Sequence, residues 1–419
     1  MLRNLLLTGV MLVSSLFSWA QCEDGRYRDI IFQDFELEQG VLYGNNINIE
    51  GTAQDLFMDI YSPAGDTETF RPLVIVAHGG SFVAGSRDAQ DVVPLCQDLA
   101  RMGYVAASID YRLGIPFGFD VTTLMFNAAA RGFQDSKAAV RFFRRNVAEN
   151  GNTYGIDPDK IFFAGSSAGG FNAVHVAYLD QESELPPQPD YNAPGLAGGV
   201  EGESGNPGYS SAIAGAVNIA GAIWHPDIME NNDTPVCSFH GTGDSVVPFG
   251  TDMLEILGAI PVDTVHGSET IHQKADELGI ENCFFVQFLE GHVPHVDDAM
   301  HYDTLRSITS NFLSHLVCTD VELDCEYREI DIVSSTQDVV QTTPMGIWPN
   351  PASDRLNVSG AELPLLFNVL DLTGQVVLRG TIRPEQPQLD ITELKQGVYL
   401  LQVVEKGSVK TLRFHKVGG

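Results

Sequence analysis

Short, almost continuously apolar runs recur along the first three quarters of the chain. Each has four to seven residues and is rich in β-branched side chains; the runs span 72–77, 104–109, 161–164, 213–219, 235–239 and 283–289. Apolar side chains on both faces are typical of strands in a parallel sheet that helices cover on each side. Helical patterns fill the intervals at 88–102, 128–150, 168–178, 268–278 and 299–317. The alternation predicts an α/β fold with a doubly wound, mostly parallel sheet.

Three segments depart from this alternation. Residues 28–37 and 56–61 alternate polar and apolar side chains, which favours an antiparallel edge that leads into the sheet. Residues 181–210 are rich in glycine, proline and acidic residues and show no periodicity. A stretch of this kind inside a compact domain is either a functional loop or lid, or a tolerated surface insertion. The pattern leaves both interpretations open.

The last quarter of the chain has a different pattern. Residues 326–344 are polar and read as a linker, and turn signals beyond them separate short apolar runs at 355–358, 366–371, 375–378, 388–391, 398–404 and 410–414. Neither a convincing helix nor a cysteine occurs there. This pattern predicts a small all-β domain of the immunoglobulin-like sandwich type at 345–419.

The first twenty residues have the features of an export signal. Arg3 is followed by a short apolar run at 5–17 and by Ser18-Trp19-Ala20, a small-x-small cleavage site. The apolar run is shorter than the roughly 20 residues that a membrane-spanning helix needs. We therefore expect a signal peptide at 1–20, a catalytic domain at 21–325 and no stable membrane span.

Charge and cysteine content limit the partners and the compartment. Twenty-four Lys and Arg residues against 55 Asp and Glu residues give a net charge of −31. A surface this acidic repels phosphate backbones, so we expect no nucleic-acid partner. Export allows disulfides, and we expect Cys318 to bond Cys325, or one of them to bond Cys22. The cysteine spacings do not match a zinc site.

A glycine-flanked serine follows the apolar run at 161–164. The motif is Gly165-Ser166-Ser167-Ala168-Gly169, and the helical pattern begins at Ala168. A serine on a sharp strand-to-helix turn is exposed above the carboxyl edge of the sheet, and the glycines avoid clashes with neighbouring elements. Ser167 is therefore the candidate nucleophile, and the Ala168 N–H is a candidate donor to an oxyanion.

A second glycine-rich turn, His78-Gly79-Gly80-Ser81-Phe82, follows the apolar run at 72–77. Backbone N–H groups in such a turn can point into a site without obstruction by side chains. Gly80 and Ser81 would then complete an oxyanion hole with Ala168. The alternative is a tight turn that merely follows a buried strand.

A serine nucleophile needs a base, and the base needs an orienting acid. Asp244 follows the run at 235–239, and His292 follows the run at 283–289, so both belong at the carboxyl edge of the sheet. His295 is the competing base and otherwise a candidate substrate contact. Trp224 is a candidate for lining the substrate pocket, with packing as the alternative.

Residues from about 53 to 317 resemble the α/β-hydrolase fold, in its carboxylesterase and esterase/lipase branch. The matching motifs lie at 55–61, 78–80, 110–114, 134–140, 155–158 and 165–170. The resemblance implies Ser167 as nucleophile, Asp244 as orienting acid and His292 as base. It also implies oxyanion donors at the backbone of Gly80, Ser81 and Ala168, although Ser81 stands where a third glycine is common.

The C-terminal domain resembles the sorting domain of the type IX secretion system of Bacteroidetes. The matching motifs are Pro349-Asn350-Pro351-Ala352-Ser353, 371–377, Leu394 with 397–401, and Lys416-Val417. The resemblance implies secretion machinery as a partner, with export through the periplasm of a Gram-negative bacterium to the medium or the cell surface. A generic carbohydrate-binding sandwich is the alternative.

These features predict a secreted serine carboxylic-ester hydrolase that works through an acyl-enzyme without metal or organic cofactor. The expected substrates are short-chain, acetyl or aryl esters, with polysaccharide-linked esters and polyesters as further candidates. A serine peptidase of related fold is the alternative enzyme, but the His78-Gly79-Gly80 turn favours esterases. A non-catalytic polysaccharide-binding or adhesion protein is the alternative from another class, and such proteins usually lose a triad member.

Overall fold

The computed structural model describes residues 20–116, 118, 120–256, 260–328, 330, 346–359, 365–370, 376–383, 388–405 and 408–418. Nearly all of the signal peptide predicted at 1–20 and most of the linker predicted at 326–344 lie outside these residues. The chain divides into two units, 1–335 and 336–419. In the described part of the chain, no helix is long and apolar enough to cross a membrane.

The described part of the first unit contains eleven strands and five α-helices. The strands are β1 (Phe35–Ile47), β2 (Ala53–Pro63), β3 (Arg71–Ala77), β4 (Val105–Ile109), β5 (Ile156–Ser166), β6 (Gly215–Ile219), β7 (Ala222–Ile223), β8 (Val236–Gly241), β9 (Thr251–Ile256), β10 (Ile260–Gly267) and β11 (Asn282–Gln287). The helices are α1 (Val93–Arg101), α2 (Val121–Glu149), α3 (Ala168–Tyr178), α4 (Ser268–Leu278) and α5 (Ala299–Val317).

Eight of these strands form one sheet in the order β1-β2-β4-β3-β5-β6-β8-β11. The pairs β1–β2 and β2–β4 are antiparallel, and all other pairs in this sheet are parallel. The predicted α/β fold with a mostly parallel sheet is confirmed. Parallel strands end at the same edge, so the loops after β3, β5, β8 and β11 can converge on one site.

Alternation of side chains along the central strands explains why their sequences are apolar throughout. In β3, Leu73, Ile75 and Ala77 enter one core, while Val74 and Val76 enter a second core on the opposite face. Helices α2 and α3 contribute to the first core, and α1 and α5 contribute to the second. Each strand is therefore buried on both faces, as the uninterrupted apolar runs indicate.

The first edge strand differs from its prediction. The strand is Phe35–Ile47, not 28–37, and a short 3₁₀ helix at Ala20–Gly25 precedes it. Tyr27 and Ile30 are buried in the second core, where the Tyr27 N–H donates to the carbonyl of Met102 at 2.8 Å. Burial of these side chains against α1 outweighs the weak alternation that suggested a strand.

A small antiparallel sheet, β7-β10-β9, lies outside the main sheet. The apolar runs did not predict β9 or β10, because polar residues interrupt their apolar ones: 251–256 reads Thr-Asp-Met-Leu-Glu-Ile. The Thr122 hydroxyl at the start of α2 donates to the carbonyl of Val262 in β10 at 2.6 Å. This contact holds the hairpin over the first turn of the helix.

Two disulfides close the end of the first unit. Cys22 bonds Cys318, and Cys283 bonds Cys325. The predicted bond from Cys318 to Cys22 is confirmed, while the alternative from Cys318 to Cys325 is wrong. Each bond joins segments that only the folded chain brings together, which sequence spacing cannot reveal. The bond to Cys22 ties the N-terminal segment to the end of α5.

The second unit contains seven strands in its described part. They are β12 (Gly346–Trp348), β13 (Arg355–Ser359), β14 (Leu365–Leu370), β15 (Val376–Ile382), β16 (Gln388–Asp390), β17 (Gly397–Glu405) and β18 (Ser408–Lys416). They form two antiparallel sheets, β12-β13-β16 and β15-β14-β17-β18. Leu356 of one sheet and Val369, Leu401 and Phe414 of the other share one hydrophobic core. The prediction of a C-terminal all-β unit is confirmed.

A buried ion pair fixes the segment 181–210 against the sheet domain. Arg112 and Asp135 are both fully buried and approach to 2.8 Å. The same guanidinium donates to the carbonyl of Gly195 at 2.6 Å, and the Ser204 hydroxyl donates to the Asp135 carboxylate. One charged pair therefore anchors a segment whose regular structure, in the described residues, is limited to the short 3₁₀ helix Glu182–Glu184.

We expect Asp135→Asn to destabilise the fold strongly, because it leaves the Arg112 charge buried without a counter-charge. The free energy of unfolding, measured by urea titration, should fall by about 3–5 kcal/mol. Glu149→Gln, which breaks the exposed pair with Arg145 on the same helix, is the control and should leave the transition unchanged. A loss for Asp135→Asn no larger than that of the control would contradict the expectation.

Candidate active site

Ser167 occupies a strained turn between β5 and α3. Its backbone has φ +54° and ψ −113°, a conformation that non-glycine residues rarely adopt. Its N–H donates to the carbonyl of Ile219 at 2.7 Å, and its carbonyl accepts from the Phe171 N–H at 2.9 Å. These two bonds hold the turn, which places the hydroxyl at the carboxyl edge of the sheet.

Glycine is required on both sides of this turn. A Cβ at Gly165 would lie 2.0 Å from the carbonyl oxygen of Gly169, and a Cβ at Gly169 would lie 2.0 Å from that of Ala77. Both contacts are with backbone, which cannot move aside as a flexible side chain can. The close approach of β3, β5 and α3 thus explains the spacing of the motif.

His292 lies between the serine and an aspartate. Its Nε2 is 2.8 Å from the Ser167 hydroxyl oxygen, and its Nδ1 is 2.7 Å from the Asp244 carboxylate. An ionised carboxylate only accepts hydrogen bonds, so Nδ1 carries the proton and Nε2 of the neutral ring accepts from the hydroxyl. The three residues singled out in the sequence are therefore joined in one hydrogen-bonded chain.

The Asp244 carboxylate is held by more than the imidazole. One of its oxygens accepts from the backbone N–H groups of Val246 and Val247, at 2.8 and 3.0 Å. Burial acts to raise the pKa of Asp244, but hydrogen bonds from His240 and His292 outweigh it, so that the pKa lies well below its usual range. The carboxylate therefore stays charged at neutral pH.

The histidine that contacts Ser167 is His292 and not His295. It lies in the 3₁₀ turn Pro294–Val296, is 6% exposed, and lines neither cavity next to the serine. Burial lowers its pKa to about 4 against the opposing influence of Asp91. The turn directs the His295 ring inward, and its neighbours Val293 and Val296 line the site instead. His295 is therefore not among the residues that line the two cavities, and a substrate contact there stays a prediction.

The backbone donors predicted from sequence border the serine. Gly80 and Ser81 have φ values of +109° and +54°, and the preceding Gly79 N–H donates to the Asp91 carboxylate at 2.7 Å. Within the described residues, the N–H groups of Gly80, Ser81 and Ala168 have no hydrogen-bond acceptor. Gly80 and Ser81 line one cavity beside Ser167, and Ser81 and Ala168 line the other.

Two cavities meet at Ser167. The first, about 220 Å³, is almost entirely apolar, and its walls include Phe82, Ile115, Met125, Phe126, Phe171, Trp224 and Leu254. The second, about 330 Å³, is lined by Gly80, Gln90, Asp91, Val246, His292 and Val293. No residue of 181–210 lines either cavity. The segment therefore lies against the sheet domain without lining the cavities beside Ser167.

Trp224 forms part of the apolar wall, as the sequence suggested. His175, which no sequence motif indicated, holds its backbone there. The Trp224 N–H donates to His175 Nε2 at 3.3 Å, and His175 Nδ1 lies 2.7 Å from the carbonyl of Phe171. Burial lowers the pKa of His175 to about 3, so its ring is neutral and can accept. The only available signal was its place on α3, two turns after Ser167.

Two family models match the chain. Residues 58–198 match BD-FAE, a family of α/β-hydrolase esterases, and residues 346–416 match the secretion system C-terminal sorting domain. The first match includes Ser167 and the turn at 78–82 and ends before Asp244 and His292. The chain thus contains a segment similar to esterase α/β-hydrolases, followed by a segment similar to the sorting domain.

Curated relatives are similar over part of their length. Carboxylesterase 3B of Mus musculus is 38% identical over 145 residues, which are 33% of this chain and 24% of that protein. Lipase 2 of Geotrichum candidum is 34% identical over 131 residues, 29% of this chain and 22% of that protein. The matches span less than a quarter of the length of these relatives.

Solved esterase structures resemble the chain more broadly and at lower identity. Thermogutta terrifontis esterase 2 with butyrate bound is 21% identical and has a TM-score of 0.48. The match covers 68% of this chain and 95% of that enzyme. The same enzyme with propionate bound is also 21% identical and has a TM-score of 0.47, with the same coverage.

Proposed function

We propose that this protein is a secreted serine hydrolase of carboxylic esters, with Ser167, His292 and Asp244 as its catalytic triad. The observation that carries the proposal is the hydrogen-bonded chain from hydroxyl to imidazole to carboxylate, with distances of 2.8 and 2.7 Å, at the meeting point of two cavities. The esterase-type domain and the carboxylesterase and lipase relatives support ester hydrolysis over peptide hydrolysis.

In the first step, His292 Nε2 accepts the proton of the Ser167 hydroxyl while the oxygen attacks the ester carbonyl. The ring becomes positively charged, and the Asp244 carboxylate stabilises that charge. Because Asp244 also fixes the proton on Nδ1, the imidazole always presents its basic nitrogen to the serine. No side chain has to reorient before attack.

The carbonyl oxygen becomes negatively charged in the tetrahedral intermediate. The free N–H groups of Gly80, Ser81 and Ala168 are the donors in place to receive it. Their positions are fixed in advance by the bond from Gly79 to Asp91 and by the start of α3. Each such preorganised donor typically contributes about 10²–10³-fold to the rate.

The position of His292 assigns the two halves of the ester to the two cavities. The general acid must protonate the leaving alcohol, so the alcohol lies in the cavity that His292 lines. The acyl group then enters the apolar cavity, whose lining includes Phe126 and Trp224 with their rings stacked 5.0 Å apart. After the alcohol leaves, His292 activates a water molecule that releases the acid.

The two alternative functions are less well supported. A non-catalytic binding protein would have no need to keep all three triad side chains in hydrogen-bonding geometry. A serine peptidase would use the same chain of residues, so its substrates must be tested directly. The apolar cavity can hold the acyl group of an ester, and nothing in its lining calls for an amide substrate.

We expect Ser167→Ala to reduce hydrolysis of p-nitrophenyl acetate on the order of 10⁴-fold or more, because among the described residues no other hydroxyl is hydrogen-bonded to His292 Nε2. The measurement is kcat/KM from p-nitrophenol release. Ser166→Ala is the matched control, since that neighbouring hydroxyl is buried and has no partner among the described residues, and it should retain activity. Activity in Ser167→Ala, or faster turnover of a dipeptide amide than of the ester, would contradict the proposal.

We expect acetate to hexanoate esters to be hydrolysed faster than longer ones, because the apolar cavity that Trp224 and Phe126 line has a volume of only about 220 Å³. In Trp224→Leu, the ratio of kcat/KM for octanoate to that for butyrate should rise by about tenfold or more. Room for one or two further methylenes in a hydrophobic pocket typically changes kcat/KM by about that factor. The panel of p-nitrophenyl esters measures both. Palmitate faster than butyrate in the unaltered protein would disprove the assignment of the cavity.

We propose that residues 1–20 direct export to the periplasm and that the C-terminal unit directs passage across the outer membrane. The sorting-domain match at 346–416 supports the second step. A chain truncated after residue 344, expressed in a bacterium with type IX secretion, should keep its esterase activity but remain in the periplasm. Immunoblots of periplasm and medium measure this, and secretion of the truncated chain would contradict it.

A further inference from the structure

A second histidine contacts the Asp244 carboxylate from the buried side. His240 is the last residue but one of strand β8 and is 0% exposed. Its Nε2 lies 3.3 Å from the same Asp244 oxygen that accepts from His292, and 3.1 Å from the carbonyl oxygen of Val247. The proposed catalytic steps use only the bond between His292 and Asp244. They give no role to the contact between His240 and Asp244.

The surroundings of His240 fix which of its nitrogens carries a proton. Both groups facing Nε2, the Asp244 carboxylate and the Val247 carbonyl, can only accept hydrogen bonds. Nε2 therefore carries a proton that it shares between them. Nδ1 lies 2.8 Å from the hydroxyl oxygen of Ser268 and, in the neutral ring, accepts from that hydroxyl.

The Ser268 hydroxyl also accepts a hydrogen bond from the buried side-chain amide of Asn218. Asn218 Nδ2 donates to the Ser268 oxygen at 3.1 Å, and Asn218 Oδ1 accepts from the Gly221 N–H at 3.0 Å. Asn218 and Ser268 are fully buried, as His240 is. The hydrogen bonds run in one direction, from Asn218 to Ser268 and from Ser268 to His240, whose Nε2 donates to the Val247 carbonyl and lies 3.3 Å from the Asp244 carboxylate. A fully satisfied buried network of this kind keeps one arrangement.

We propose that His240 is a positioning residue that fixes the Asp244 carboxylate and moderates its negative charge toward His292. The inference rests on the proposed hydrolase function. The N–H of His240 withdraws part of the charge from the oxygen that His292 also uses. Without it, the carboxylate would attract the His292 proton more strongly, and the ring would hold a second proton up to a higher pH.

The geometry also limits how Asp244 can move. Its first oxygen is held by two backbone N–H groups and its second by two imidazoles, one from each side. Among the described residues, Asp244 is the ionisable group that contacts both rings; His292 also interacts electrostatically with His295, and His295 with Asp91. A change at His240 therefore reaches His292 through Asp244.

The test compares His240→Phe, which removes the donor, with His240→Gln, whose side-chain amide can still donate to Asp244. We expect kcat for p-nitrophenyl butyrate to fall roughly 10- to 100-fold in His240→Phe, the usual range for losing an outer hydrogen-bond partner, with KM little changed. The acid limb of the kcat/KM profile should move upward by roughly half a pH unit or more. His240→Gln should restore most of both.

A second measurement does not depend on activity. NMR titration of the His292 ring should show its midpoint moving to higher pH in His240→Phe, and ¹⁵N shifts in the unaltered protein should show His240 protonated at Nε2. If the protein proves inactive while these shifts appear, the hydrolase proposal fails and the positioning role stands. If the midpoint does not move, the positioning role is overturned even when the enzyme is active.

His272→Phe is the control for a purely structural effect. His272 is also a buried histidine, lies on α4, and bonds Asn282 at 2.7 Å, away from Asp244. Its replacement should lower the melting temperature without moving the acid limb. Should His240→Phe behave in the same way as His272→Phe, with reduced stability and an unchanged pH profile, His240 would be merely structural and the proposal would be wrong.

Discussion

The imidazole of His292 joins two loops that are distant in the chain. It lies 125 residues after the serine that it contacts and 48 residues after the aspartate. A parallel sheet makes this possible, because the loops that follow β5, β8 and β11 all lie at the carboxyl edge of the sheet. Two hydrogen bonds of 2.8 and 2.7 Å then depend on the register of the whole sheet. The apolar cores on its two faces serve the site by fixing that register.

Helix α2 connects the site to the rest of the domain. Met125 and Phe126 on its first turns line the acyl cavity. Further along, Gln134 and Arg141 donate to carbonyl groups of the segment 181–210, at distances of 2.7–3.1 Å. This segment therefore contacts the helix that carries part of the cavity wall, without lining the cavity itself. Its many glycines and its lack of periodicity suit a segment whose hydrogen bonds come from side chains of a neighbouring helix.

Three histidines have different roles in this domain. His292 is partly exposed and faces the serine, His175 is neutral and accepts from the Trp224 backbone, and His240 faces the buried side of Asp244. Burial alone does not separate the last two. Their partners do, since an N–H neighbour requires an unprotonated nitrogen and a carboxylate neighbour requires a protonated one. The same side chain therefore acts as acceptor in one place and donor in another.

The sequence by itself determined the features that depend on local geometry. The turn at Ser167 could be predicted because Gly165 and Gly169 leave room that only glycine leaves, and the sheet could be predicted because strands buried on both faces must be apolar. The choice of His292 over His295, the bond from Cys22 to Cys318, the hairpin β9–β10 and the contacts of His175 and His240 were decided by the tertiary structure. Each depends on which distant segments meet, and no periodicity or spacing along the chain records that.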